Sequence, residues 1–296
     1  MIIDRFINYL LTEKQYSKLT VRAYKDDLCQ FLLYTGVSRE EFELSKVSSA
    51  ELRSYVMHLS QQKLKHTSIN RKISTLKSFF HYGMKIGVIS KDPSLKISLL
   101  KKEGLLPSFV PLSTMNAGTT NMLAITDDFV TERDHLILLL FYATGIRLAE
   151  LIAIQVSDLS FEEMEIRVTG KGNKQRIVPI VSVLEKKMRN YLKICLKTFG
   201  YENNLLFLSK KGSCISRSDV YRVVNRQLTV MGVQGKKSPH VLRHSFATHL
   251  LNSGAGIETV KELLGHANLS ATQIYTHNNI STIIEKYKEA HPRVRK

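Results

Sequence analysis

Apolar positions in residues 1–90 fall at helical spacing, with Phe6, Tyr9 and Leu10 in one segment and Tyr24, Leu28, Phe31 and Leu32 in the next. The pattern predicts helices throughout this stretch, with Thr20 as a candidate cap for the second. From His66 to Phe80, Ile69, Ile73, Leu76 and Phe80 share a face while Arg71, Lys72 and Lys77 lie off it, which describes a basic amphipathic helix. Such a helix suits a nucleic-acid groove, and equally a solvated surface over a helical core. Periodicity lapses from Lys96 to Pro111, where a Lys-Lys-Glu-Gly run and two prolines read as a linker. Residues 112–130 are poorly patterned. An apolar helix is then predicted from Arg133 to Thr144, and Gly145 precedes a restart around Arg147, near the first turn of the next helix.

Over residues 164–180 the period becomes two. Met164, Ile166 and Val168 alternate with charged residues, and Ile177, Val178 and Ile180 follow a Gly-Lys-Gly-Asn-Lys turn, so a β-hairpin is expected with Lys171 and Lys174 at its tip. Farther on, Ser238-Pro239-His240 reads as an N-cap, a proline at the first helical position and the start of a helix. His240 and Arg243 then share a face, beside a buried stripe of Leu242, Phe246 and Leu250. This helix should end at Asn252-Ser-Gly254, followed by one from Ile257 to Leu264 closed by Gly265. A third helix begins near Ser270 and carries Tyr275, and a last one with Ile280, Ile283, Ile284 and Tyr287 leads to a basic tail. The predicted fold class is mainly α with a small antiparallel β-sheet.

Composition narrows the partner. The chain has 296 residues and 43% hydrophobic content, enough for two cores. Its net charge of +17, from 43 basic and 26 acidic residues, favours a polyanion and makes nucleic acid the leading candidate. The excess is uneven: residues 1–50 hold seven basic and seven acidic residues, 51–100 nine and two, and 201–250 eight and two. Two separate basic surfaces fit two lobes gripping one duplex. Cys29, Cys195 and Cys214 are odd in number and lack a C-x-x-C spacing, so neither a disulfide framework nor a zinc site is indicated. The first residues carry charges where a signal peptide needs an apolar run. The longest such run, Leu136 to Ala143, is too short to cross a bilayer, so a cytoplasmic, nucleoid-associated location without membrane contact is expected.

The candidate chemistry lies in Arg147, His240, Arg243, His266 and Tyr275. Guanidinium forks match phosphoryl oxygens in pairs, histidines donate to those oxygens or carry protons near neutral pH, and a positioned tyrosine attacks phosphorus. His240 and His244 stand at a zinc-binding spacing, but no third ligand or metalloprotease Glu follows, so no metal or cofactor is expected.

Four blocks occur in order: Tyr142-Ala-Thr-Gly-Ile-Arg147-Leu-Ala-Glu150-Leu, Gly170-Lys171-Gly-Asn-Lys-Gln-Arg, His240-Val-Leu-Arg243-His-Ser-Phe-Ala-Thr-His, and Leu264-Gly-His266 with Tyr275 nine residues later. Together they closely resemble the tyrosine recombinase (integrase) family, in particular its XerC/XerD-like site-specific recombinases. The likeness is strongest over residues 133–277. It implies a two-domain C-shaped DNA clamp: a helical, SAM-like core-binding domain in 1–95, a linker in 96–111, and a catalytic domain in 112–296 with a C-terminal helix that docks on a neighbouring protomer. It implies that Arg147 and Arg243 bind the scissile phosphate and that His240 positions it and accepts a proton. His266 would donate to a non-bridging oxygen, Tyr275 would be the nucleophile, and Lys171 would protonate the leaving oxygen. Glu150 fits a supporting role beside Arg147. Lys174 is the alternative acid and Tyr287 the alternative nucleophile; Arg71, Lys72, Lys77 and Lys174 are the candidate DNA contacts. One departure is that Pro107 to Met122 lacks the acidic helix start usual after the family's linker.

The implied reaction is cutting and rejoining of duplex DNA through a 3′-phosphotyrosine, as in resolution of chromosome or plasmid dimers during chromosome partition and cell division. Its assembly is a homo- or hetero-tetramer on two DNA sites, with a second recombinase and a DNA-translocating motor as further candidate partners. A mobile-element integrase and a monomeric relaxing topoisomerase use the same chemistry. A non-enzymatic regulator is the remaining class, since residues 246–275 can pass for a helix-turn-helix; such a protein has no use for Arg147 or Tyr275.

Overall fold

The structure, a computed structural model, describes residues 1–101, 109–170, 173–200 and 204–265. Lys171, His266 and Tyr275, the helix expected near Ser270, and the final helix with its tail lie outside these residues. The chain divides into two compact units, residues 1–105 and 106–296.

In the first unit α1 (Ile2–Thr12), α2 (Lys18–Thr35), α3 (Ser49–Gln61) and α4 (His66–Lys85) enclose a core rich in aromatic rings. Phe6 lies 5.1 Å from Phe79 and 5.4 Å from Tyr82, centroid to centroid, and Phe31 lies 5.1 Å from Tyr55. Ser17, not Thr20, caps α2: its extended backbone lets the hydroxyl accept from the Thr20 N–H at 3.2 Å. The stripe of Ile69, Ile73, Leu76 and Phe80 is buried as its spacing predicts.

Lys72 corrects the reading of α4. It is 4% exposed and donates to Asp27 Oδ1 at 2.8 Å and to Gln30 Oε1 at 2.5 Å. Asp27 is itself buried on α2 and also accepts from Arg71 and Thr75. An interior carboxylate has to be paired, and Lys72 is turned inward to do so, so its charge is engaged inside the unit and it does not present the exposed cation expected of it. Arg71 keeps an exposed side chain, and Lys77 is half-buried.

The second unit is built around α6 (Phe129–Thr144), buried on nearly every side, as its second half, apolar all round from Leu136, must be; the charges of Glu132, Arg133 and Asp134 in its first half are buried in ion pairs. It starts ahead of the expected Arg133 because Asp128 caps it, accepting from the Thr131 N–H at 2.7 Å. α8 (Ser182–Phe199), α9 (Arg217–Val230) and α10 (Pro239–Asn252) pack on it. The poorly patterned stretch contains α5 (Leu112–Thr120), held by buried Met115 and Thr119.

After α7 (Leu148–Ala153) come β1 (Leu159–Ser160), β2 (Glu165–Thr169) and β3 (Gln175–Pro179), an antiparallel sheet in that order. The hairpin is the predicted one, with Ile166 opposite Val178 and Val168 opposite Arg176; the short β1 adds an edge. Phe246 and Leu250 of α10 pack with Val260, Leu263 and Leu264 of α11 (Ile257–Leu264). Among the described residues, no helix is long and apolar enough to cross a membrane.

Candidate active site

α6 stops at Gly145, whose φ of +61° is the left-handed C-cap conformation. Arg147 follows in extended backbone as the N-cap of α7. Glu150, on the first turn of α7, folds back so that Oε2 accepts from the Arg147 N–H at 2.7 Å, while Oε1 accepts from Arg147 Nη1 at 2.8 Å. One carboxylate thus caps the helix and orients its guanidinium.

Arg176 reaches the same carboxylate from β3, donating through Nη1 to Oε1 at 2.8 Å and through Nη2 to Oε2 at 2.9 Å. Glu150 therefore accepts four hydrogen bonds, two on each oxygen, which fills its acceptor capacity. Burial alone would raise this carboxyl. The hydrogen bonds from Arg176 and the Arg147 backbone, with the charge of Arg176, outweigh burial and hold it down at about 2.

Arg243 comes from α10, where Ser238 stands at the N-cap and Pro239 at the first position, as the sequence suggests. Arg243 is 9% exposed, and its guanidinium donates through Nη1 to the Gly145 carbonyl at 2.5 Å and through Nη2 to the Leu264 carbonyl at 2.6 Å. Burial, and then the neighbouring Arg147 charge, push its acidity constant down to about 10, so it stays cationic at neutral pH. Arg147 Nη2 donates to the Gly265 carbonyl at 2.9 Å. Among the described residues, these contacts engage two N–H groups on each of Arg147 and Arg243.

Among the described residues, three guanidiniums and one carboxylate give this cluster a net charge of +2 with most of its surface out of water. Desolvated like charges are costly without a counter-ion. Such an arrangement of planar donors can take up an anion, including the charge that develops on a phosphoryl centre.

The structure thus brings Arg147, Glu150 and Arg243 together. His240 is exposed on the first turn of α10, one turn before Arg243, and Lys174 is exposed beside the hairpin tip. Arg176 is the member that the sequence reading passed over. It lies inside the Gly170 block but on the strand face of Val178 and Ile180, and a charge on the buried side of a period-two pattern was the available signal.

Residues 119–281 match the Phage integrase family, and residues 3–87 match the Phage integrase N-terminal SAM-like domain. The chain is similar to the tyrosine recombinase XerC of Thermodesulfovibrio yellowstonii, 38% identical over 295 residues that cover 98% of this chain and 96% of that protein. It is 37% identical to the XerC of Staphylococcus aureus strain USA300 / TCH1516, covering 100% of this chain and 98% of the relative. The fold resembles that of the XerH site-specific recombinase bound to its difH substrate, with a TM-score of 0.69 at 24% identity over 96% of this chain and 82% of the other.

Proposed function

The chain belongs to the phage integrase family, and from that premise we propose that it is a Xer-like site-specific tyrosine recombinase acting on duplex DNA. The observation that carries this reading is the buried cluster in which Glu150 aligns Arg147 beside Arg243 with a net charge of +2. The end-to-end match to recombinases named XerC favours the Xer-like role over that of a mobile-element integrase.

Arg147 and Arg243 hold the two non-bridging oxygens of the scissile phosphate, and His266 donates to one of them. The Tyr275 hydroxyl oxygen attacks phosphorus and gives its proton to His240. A phosphorus–oxygen bond to Tyr275 forms, the bond from phosphorus to the 5′ oxygen breaks, and Lys171 protonates the departing oxygen. The 3′-phosphotyrosine keeps the ester's free energy, so a 5′-hydroxyl from another strand reverses the step without ATP. An ordinary tyrosine ionises only near pH 10, and the cationic cluster favours its phenolate. Strand exchange between two duplexes calls for four protomers. A second recombinase completing the tetramer and a motor acting on the DNA are further partners of this reading.

A nicked duplex that traps the intermediate tests it. Wild-type protein should become covalently attached to DNA under denaturing conditions. Tyr275→Phe should bind with unchanged affinity and form no adduct, and Arg243→Ala should lose reaction far more than binding. A non-enzymatic DNA-binding protein would give no adduct in any case.

A further inference from the structure

α11 ends in carbonyls that have no donor within the helix and that stand at the negative end of its dipole. Three consecutive ones are taken by three different arginines: Leu263 O by Arg176 Nε at 3.2 Å, Leu264 O by Arg243 Nη2 at 2.6 Å, and Gly265 O by Arg147 Nη2 at 2.9 Å. Arg176 is 8% exposed and lies flat against this turn; a Cβ added at Gly265 would meet its Cδ at 3.1 Å and its Nε at 3.2 Å. It is also the group that grips both Glu150 oxygens. One side chain therefore ties three elements that are remote in sequence: β3, α7 and the end of α11, immediately before residue 266.

We propose that Arg176 is a positioning residue for recombination: by bridging Glu150 and the Leu263 carbonyl, it fixes the Arg147 fork and the α11 terminus in one register. The inference rests on the function proposed above. Arg176 spends its Nε and one donor on each Nη in these bonds, so it acts through Arg147 and the α11 turn and not on the phosphate. Lysine at this position keeps the charge but presents a point charge with no rigid fork, so it cannot span both carboxylate oxygens and the carbonyl together.

The test uses the full chain and a nicked duplex carrying the site that wild-type protein selects from a random-sequence library. Affinity is measured by fluorescence anisotropy, and the single-turnover rate of covalent attachment is measured with all DNA bound. R176M should lower that rate roughly tenfold to a hundredfold while the Kd stays within about threefold. R176K should recover part of the rate. The double variant R176M/E150Q should be no slower than the slower single variant, since both break one unit.

If R176M does not fold, R176K decides alone, with circular dichroism to establish its fold. Attachment at the wild-type rate overturns the inference, as does a fall in rate matched by an equal fall in affinity. A wild-type protein that forms no adduct instead overturns the function on which the inference rests.

Discussion

Glu150 accepts its four hydrogen bonds only as a carboxylate, and their cost on protonation makes the cluster sensitive to acid. Its acidity constant is lowered from 4.5 to about 2, so its stabilising contribution is present above pH 4.5 and is lost as pH falls toward 2. His135 and His249 behave differently. Burial pushes both below the usual 6.5, so the unfolded chain takes up their protons first and stability starts to fall below pH 6.5. Thermal melting across pH should therefore show a decline beginning below 6.5 and a steeper one below 4.5. Glu150→Gln should flatten the second decline and leave the first; an unchanged acid limb in that variant would refute the assignment. The sequence made Glu150 legible because it lies three positions after Arg147, on the same helix face. It did not make Arg176 legible, because a strand arginine's partners lie on α7 and α11, and residue spacing carries no information about which carbonyls face a strand.

At the scale of elements, local signals fixed starts and stops where caps and glycines act on their own neighbours. The Ser238-Pro239 start, the Gly265 stop and the hairpin all fall where local chemistry predicts. Two elements needed tertiary information. α5 is short and weakly patterned, and only Met115 and Thr119 anchor it. α4 is buried over a wider arc than its apolar residues define, because Asp27 on α2 draws Lys72 inward.

The α6 stop yields a second prediction. Gly145 and Gly200 both cap helices at positive φ, +61° and +70°. Among the described residues, a Cβ at Gly200 meets nothing within 4 Å, whereas one at Gly145 lands 2.4 Å from Phe246 and 2.9 Å from Leu264. Gly200→Ala should cost only the left-handed backbone penalty, about 1–2 kcal/mol. Gly145→Ala should add an overpacking cost of about 1–3 kcal/mol, and it should also slow DNA attachment, since the Gly145 carbonyl holds Arg243. Equal denaturant midpoints for the two variants would contradict this packing of α10 and α11 on the α6 terminus.

Across the whole molecule, the cluster joins residues far apart in the chain: Arg147 meets Gly265 across 118 positions, Arg243 meets Gly145 across 98, and Arg176 meets Glu150 across 26. That separation is why no single block identifies the site and why the order of four blocks does. The charge of +17 belongs to this scale too, as the attraction that brings a polyanion to the chain before any particular side chain engages it. What the chain then does to that polyanion depends on one covalent bond. The direct measurement is peptide mass spectrometry of wild-type protein trapped on a nicked duplex, digested with protease and nuclease. A residual nucleotide is expected on the peptide containing Tyr275, joined through its phenolic oxygen. Attachment at Tyr287, or a peptide map free of nucleotide, would contradict it.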